Sequence, residues 1–288
     1  MPAGKSRSPP AKPAGLNHKT LTSTTQDIAA TIVGRHRERE RFQSVLGLIG
    51  RNLPLAYDIQ DRVIQELGGN AAARENAAGY KIGLTTPRMQ AMCSIDQPIA
   101  GTIFAGRLHT SPAVINAAPF MRLGVESEIA VQLGKSLPDI ADLNTADLDA
   151  ATVLACLSQV CAAFELIDDS NADYTGLDAA SLIADNAWNA GLVLGPPAPA
   201  ANFPHLADRM GVLYRNGEVV DRGNSSDVMG DPLQVVVWLH KHLAGRGGSL
   251  QPGQWISTGS IVTTKFVAAG ERYRFEVDGL AAVEVLIR

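Results

Sequence analysis

The run "LGVESEIAVQL", Leu123–Leu133, decides the fold because its polarity alternates with a period of two. Side chains along a strand point alternately to either face. Glu126 and Glu128 therefore share one side, while Val125, Ser127, Ile129 and Val131 share the other. The run reads as a strand with an apolar face turned to a core and two carboxylates side by side on the reverse. Adjacent like charges repel, and burying them unpaired costs on the order of several kcal/mol. Either the reverse face is wet or something positive sits between the acids.

Downstream, "CAAFELIDDS" (161–170) places a third acid, Glu165, among Phe164, Leu166 and Ile167. Buried acids are rare unless paired or bound to metal. A strand here, reached through one crossover helix, would bring Glu165 to Glu126 and Glu128. Three carboxylates select a hard divalent cation, Mg²⁺ or Mn²⁺, and no histidine or cysteine is placed to make zinc the better fit. Upstream, Lys81 in "GYKIGLT" (79–85) stands between a glycine, a tyrosine and apolar residues. It is either a cation beside the cluster, able to relay a proton or hold an anion, or a lysine whose stem follows the strand to water. "STGSI" (257–261) offers hydroxyls and backbone N–H groups in a turn between strands.

Around these motifs the chain reads as a mixed, strand-rich α/β protein. Residues 1–25, rich in Pro, Ser, Lys and Gly, are expected to form a flexible tail. Residues 26–79 read as a small helical subdomain. One helix runs through the charge run "RHRERERF" (35–42), a solvated face with internal ion pairs. A second carries the stripe Ala56, Ile59, Val63 and Leu67 and stops at Gly68-Gly69. Residues 80–288 are expected to form the metal-binding core. It includes a helix over 144–160 capped by Asn144 or Thr145, and a hairpin at Asn216-Gly217.

Composition narrows the function classes. With 25 basic and 29 acidic residues the chain carries no basic excess to suit a nucleic-acid binder. No apolar run reaches the roughly 20 residues that span a bilayer, and the N-terminus lacks the apolar stretch of a secretory signal. Cys93, Cys156 and Cys161 have no zinc spacing and read as buried thiols in a reducing cytoplasm.

Taken in order, "LAYDIQ", "GYKIGLTTPRMQ", "DQPIAGTIF", "GVESEIAVQL", "FELID", "LIADNA" and "STGSI" resemble the 2-keto-4-pentenoate hydratase and 4-oxalocrotonate decarboxylase group of the fumarylacetoacetate hydrolase superfamily. The resemblance runs from about Leu53 to the C-terminus. It implies a mixed β-roll core, a Mg²⁺ or Mn²⁺ ion, and homo-oligomers that associate with a related hydratase or decarboxylase. It also implies a small 2-oxo or 2-hydroxy-dienoic acid substrate from aromatic-compound catabolism. Glu126, Glu128 and Glu165 match the metal ligands of that group. Lys81 matches its active-site lysine and Asp96 an acid beside the site, while Gly83, Leu84, Thr258 and Gly259 match positions lining the substrate pocket. The expected reaction is hydration to a 4-hydroxy-2-oxo acid; decarboxylation of 4-oxalocrotonate and a noncatalytic partner role are the alternatives. The chain departs from the group's pattern at Trp188 and in "IVTTKFV" (261–267), where Lys265 either replaces a missing arginine or lies at the surface.

Overall fold

A computed structural model describes residues 24–68, 77–138 and 148–288. Most of the expected tail, and the Asn144 and Thr145 cap positions, lie outside these residues. In chain order the helices and strands are α1 (Thr25–Glu38), α2 (Leu46–Ile49), α3 (Leu53–Leu67), β1 (Ala77–Gly83), α4 (Pro87–Met92), β2 (Ile99–Phe104), β3 (Leu108–Thr110), β4 (Ala113–Ile115), β5 (Leu123–Leu133) and α5 (Ala150–Cys156). There follow β6 (Leu157–Asp168), α6 (Ala179–Ala184), β7 (Asn189–Leu194), β8 (Ala198–Pro199), β9 (Met210–Arg215), β10 (Glu218–Asn224), α7 (Pro232–Gly245), β11 (Trp255–Ser260), β12 (Lys265–Phe266), β13 (Arg272–Val277) and β14 (Val283–Ile287). None of the described helices is long and apolar enough to cross a membrane.

Helix α1 starts in a reciprocal cap: the Thr24 hydroxyl accepts from the Asp27 N–H, and the Asp27 carboxylate accepts from the Thr24 N–H. It ends at Arg39, which turns left-handed, so only part of the charge run is helical. That run is also not a simple solvated face. Arg39 donates to the carbonyls of Ala118 and Phe120, Arg41 donates to that of Asn171, and His36 meets Asp185. The alternating charges fasten the N-terminal segment to the body of the protein. In α3 the stripe buries Ala56, Ile59 and Val63, whereas Leu67 on the last turn is 41% exposed. These side chains join one core with Ile129, Phe164 and Phe275, so the helices share the interior of the strands behind them.

Among the described residues, nine strands form one sheet with the main order β2-β1-β11-β5-β6-β7-β3, β12 pairing with β5 and β8 with β6. Five more form the order β10-β9-β13-β14-β4. The hairpin between β9 and β10 turns at Asn216-Gly217, both with positive φ, as a two-residue turn of this sequence requires. The helix expected over 144–160 is shorter: Asp149 caps α5 by accepting from Thr152 N–H, and Leu157 already begins β6. The pattern "LACLSQV" continues a helical period, but pairing with β5 takes over from Leu157. Strand β6 lies between β5 and β7 and is buried on both faces over most of its length, so its sequence shows no alternation.

The central register positions the site. Glu126 pairs with Glu165, Glu128 with Ser260 and Ala163, and Lys81 with Ser257. Directly opposed residues share a face, so β1, β11, β5 and β6 present Lys81, Ser257, Glu126, Glu128 and Glu165 to the same side. Between Ser257 and Ser260 the β11–β5 register slips, and this bulge carries Thr258 and Gly259. Val125, Ile129 and Val131 face the main core as their alternation predicts.

Candidate metal centre and active site

Glu126, Glu128 and Glu165 each offer one carboxylate oxygen, and the three oxygens lie within 4.8 Å of one another. Glu128 and Glu165 are fully buried and Glu126 is half-buried, so the reverse face of β5 is dry at Glu128 and reaches solvent only toward Glu126. The positive group is Lys81, itself buried, with Nζ 3.0 Å from Glu165 Oε1. With all three carboxyls ionised, as metal ligands must be, one ammonium leaves two negative charges.

Each acid is gripped through one oxygen. Glu128 Oε2 accepts from the Ser257 hydroxyl at 2.6 Å and from the Gly259 N–H at 2.8 Å. Glu165 Oε1 takes Lys81 and, at 3.1 Å, the side-chain amide of Asn189. Glu126 Oε1 accepts from the Thr264 hydroxyl at 2.5 Å. Glu128 Oε1 and Glu165 Oε2 are buried without any hydrogen-bond partner. Orphaned buried carboxylate oxygens are costly in a folded protein, and convergent ones are what a hard cation needs. The donor set is all oxygen and its uncompensated charge equals that of a divalent ion.

The electrostatics agree. Burial, and then the neighbouring Glu126 charge, push the Glu128 carboxyl up to about 7, against the Ser257 and Gly259 hydrogen bonds. Burial also raises Glu165 well above the ordinary carboxyl value, opposed mainly by Lys81. Burial alone would lower the Lys81 ammonium, but the charges of Glu165, Glu126 and Glu128 outweigh it and raise its pKa. The cluster is short of positive charge.

Gly259 shows why the bulge is needed. Its φ is +115°, and an added Cβ would stand 2.7 Å from Thr85 Cγ2 and 2.8 Å from Thr85 Oγ1. Gly259→Ala is expected to cost about 2 kcal/mol or more of stability and to pull the N–H away from Glu128, weakening Mg²⁺ binding. Thermal melting and calorimetric Mg²⁺ titration check this. Gly106→Ala, where nothing lies within 4 Å of the added carbon, is the control.

The other expected residues take distinct places. Gly83 lies beside the lysine head: an added Cβ would stand 3.5 Å from Lys81 Nζ and 3.5 Å from Ile99 Cγ1, an ordinary contact distance. Leu84 is buried and left-handed (φ 55°) at the exit of β1, and its carbonyl accepts from Gln90. The Thr258 hydroxyl turns to the Ile129 carbonyl at 2.8 Å, so in this bulge Ser257 and Gly259 supply the donors to Glu128. Asp96 stands exposed in the bend before β2. Lys265 lies 2.6 Å from Asp221 and beside Thr263, which pairs its charge.

Three contributors were not singled out in the sequence: Thr264, Asn189 and the carbonyl of Ala187, which accepts from Lys81 Nζ at 3.1 Å. Ala187 belongs to an unusual turn. Asn186, Ala187 and Trp188 all have positive φ, at 50°, 49° and 59°. A left-handed L-residue costs about 1–2 kcal/mol, so three in succession persist only where the surroundings over-determine them. The Asn186 amide does part of this, donating to the Thr102 carbonyl while its oxygen accepts the Thr102 N–H.

Residues 105–288 match the family model described as fumarylacetoacetate (FAA) hydrolase C-terminal. A 2-keto-4-pentenoate hydratase of Paraburkholderia phymatum is 33% identical over 259 residues, which cover 88% of this chain and 95% of that protein. One of Burkholderia vietnamiensis is 32% identical over 81% of this chain and 86% of its own length. Among solved structures, the 4-oxalocrotonate decarboxylase of Pseudomonas putida G7, complexed with magnesium and adipate, superposes with a TM-score of 0.81 at 26% identity. That match covers 92% of this chain and 97% of the decarboxylase.

Proposed function

The chain belongs to the fumarylacetoacetate hydrolase family, and from that premise we propose that it is a divalent-metal-dependent lyase that hydrates 2-hydroxypenta-2,4-dienoate-type acids to 4-hydroxy-2-oxo acids. The observation that carries the chemistry is the cluster of three carboxylates, two of them fully buried and each with one partnerless oxygen, beside a buried ammonium. Hydration is favoured because relatives named as hydratases are about one-third identical over most of both chains.

Glu126, Glu128 and Glu165 would hold Mg²⁺ or Mn²⁺, with Thr264, Ser257, Gly259 and Asn189 fixing which oxygen of each acid is free. When bound, such an ion supplies a Lewis acid for negative charge that develops on the substrate's 2-oxo oxygen. Hydration places the hydroxyl of water on carbon 4 and protons on carbons 3 and 5, one proton coming from water and the other from the 2-hydroxyl as it becomes the 2-oxo group. Lys81 carries a proton at Nζ on the same face as the acids, aimed by Glu165 and the Ala187 carbonyl, and serves as the proton carrier. Asp96 is the proposed second acid. Gly83, Leu84, Thr258 and Gly259 are the proposed lining of the substrate pocket.

With Mg²⁺ and 2-hydroxypenta-2,4-dienoate, the substrate's ultraviolet absorbance is expected to disappear as a 4-hydroxy-2-oxo acid forms. Unchanged absorbance, together with CO₂ release from 4-oxalocrotonate, would move the assignment to a decarboxylase, the reading favoured by the Pseudomonas putida G7 superposition. A homo-oligomeric, cytoplasmic enzyme, able to associate with a related hydratase or decarboxylase, completes the proposal.

A further inference from the structure

The left-handed turn that carries the Ala187 carbonyl is bracketed by two side chains from the N-terminal segment. Before the turn, Asp185 closes α6 and is buried; its Oδ1 lies 2.5 Å from Nε2 of His36 on α1. At the last residue of the turn, the Phe42 ring meets Trp188 edge-on, with centroids 5.1 Å apart, and the Phe42 N–H donates to the Ser170 carbonyl at 2.9 Å. Asn186 is fastened from the opposite side to Thr102, which pairs with Tyr80, the neighbour of Lys81. Strained backbone is held between these points, and it meets the cluster through the hydrogen bond of Lys81 Nζ to the Ala187 carbonyl.

We infer that His36 is a positioning residue for the proposed reaction: by holding Asp185 it fixes the 186–188 turn so that the Ala187 carbonyl keeps Lys81 aimed at Glu165. His36 touches none of the three acids, and it belongs to a segment 45 positions before Lys81, so its effect travels through Asp185. Burial pulls the imidazole pKa down, but the Asp185 hydrogen bond and the charges of Asp185 and Asp168 raise it on balance. Arg35 and Glu40 line the same small cavity. A ring nitrogen 2.5 Å from a buried carboxylate oxygen makes a short hydrogen bond between two segments distant in sequence, suited to restraining a strained turn.

This inference rests on the proposed hydratase reading for its kinetic test, and a second readout is independent of turnover. In His36→Ala, kcat for 2-hydroxypenta-2,4-dienoate is expected to fall about 10–100-fold with KM within about threefold, because a small misplacement of a reacting group carries such a penalty. Calorimetric Mg²⁺ affinity should stay within about twofold, since the acids keep their own partners. Acetylation of Lys81, followed by mass spectrometry, should become several-fold faster once the carbonyl leaves Nζ. His36→Gln retains an N–H for Asp185 and should recover most of both losses. His36→Asn, too short to reach, should not, and it replaces the alanine variant if that protein does not fold. Native kcat and native Lys81 labelling in the folded variants, whatever their melting temperature, would reduce the pair to scaffolding and overturn the inference. Absence of hydration by the native protein would sink the proposed function alone, because the labelling contrast still decides the role of His36.

Discussion

Lys81→Met is expected to lower kcat by about 10³-fold while leaving Mg²⁺ affinity unchanged or tighter. Methionine preserves the length of the stem and removes the ammonium. The cluster then carries three carboxylates with no ammonium beside Glu165, where the native site has Nζ at 3.0 Å. Three uncompensated negative charges attract a divalent cation at least as well as two. The proposed proton delivery has no such substitute, because the lost group is the buried ammonium on the face that carries the three acids. The metal-free variant should be destabilised, since Glu165 Oε1 keeps only Asn189. Added Mg²⁺ should recover much of that loss. Calorimetry, melting curves with and without Mg²⁺, and turnover on one preparation separate these effects. Loss of metal binding alongside loss of turnover would mean that Lys81 organises the carboxylates rather than moving a proton.

How far the sequence disclosed this site depends on what each residue answers to. Glu126 and Glu128 were legible because period-two alternation is a local rule and β5 obeys it over its whole length. Glu165 was legible from its apolar neighbours, although the strand bearing it begins earlier than the helical pattern of 144–160 suggested. There, long-range pairing with β5 overrode a local period. The carboxylate partners were harder. Thr264 sits beside Lys265, whose charge drew notice but is spent on Asp221, and Asn189 lies one residue beyond the turn. Nothing in "ADNAWN" announces three left-handed residues, because no glycine marks them. Their conformation is imposed by Thr102, Phe42 and His36, which are distant in sequence. The same distance hid the role of the charge run, whose residues read as solvent-facing until their partners on the body are known.

Glu128→Gln is expected to separate the two costs that the acidic cluster balances. Glu128 is held by two donors on Oε2, and its other oxygen is buried with none. A glutamine can turn its carbonyl oxygen to Ser257 and Gly259 and present its amide where the orphaned oxygen stood, facing the two remaining carboxylates. Above about pH 7, where Glu128 is mostly ionised, one negative charge leaves a group whose oxygens converge within 4.8 Å, and an acceptor with no partner becomes a donor with acceptors nearby. The metal-free variant should therefore melt several degrees above the metal-free native protein, as a gain of about 1–2 kcal/mol would produce in a chain of this size. With Mg²⁺ the order reverses. At about a hundred times its dissociation constant, the ion should stabilise the native protein by about 2.7 kcal/mol. The variant should gain almost nothing, and its turnover should fall by about 10³-fold or more. Melting curves at rising Mg²⁺ read both effects on the same samples. A Mg²⁺-dependent rise in Glu128→Gln as large as the native one would mean that the three acids hold no ion in common.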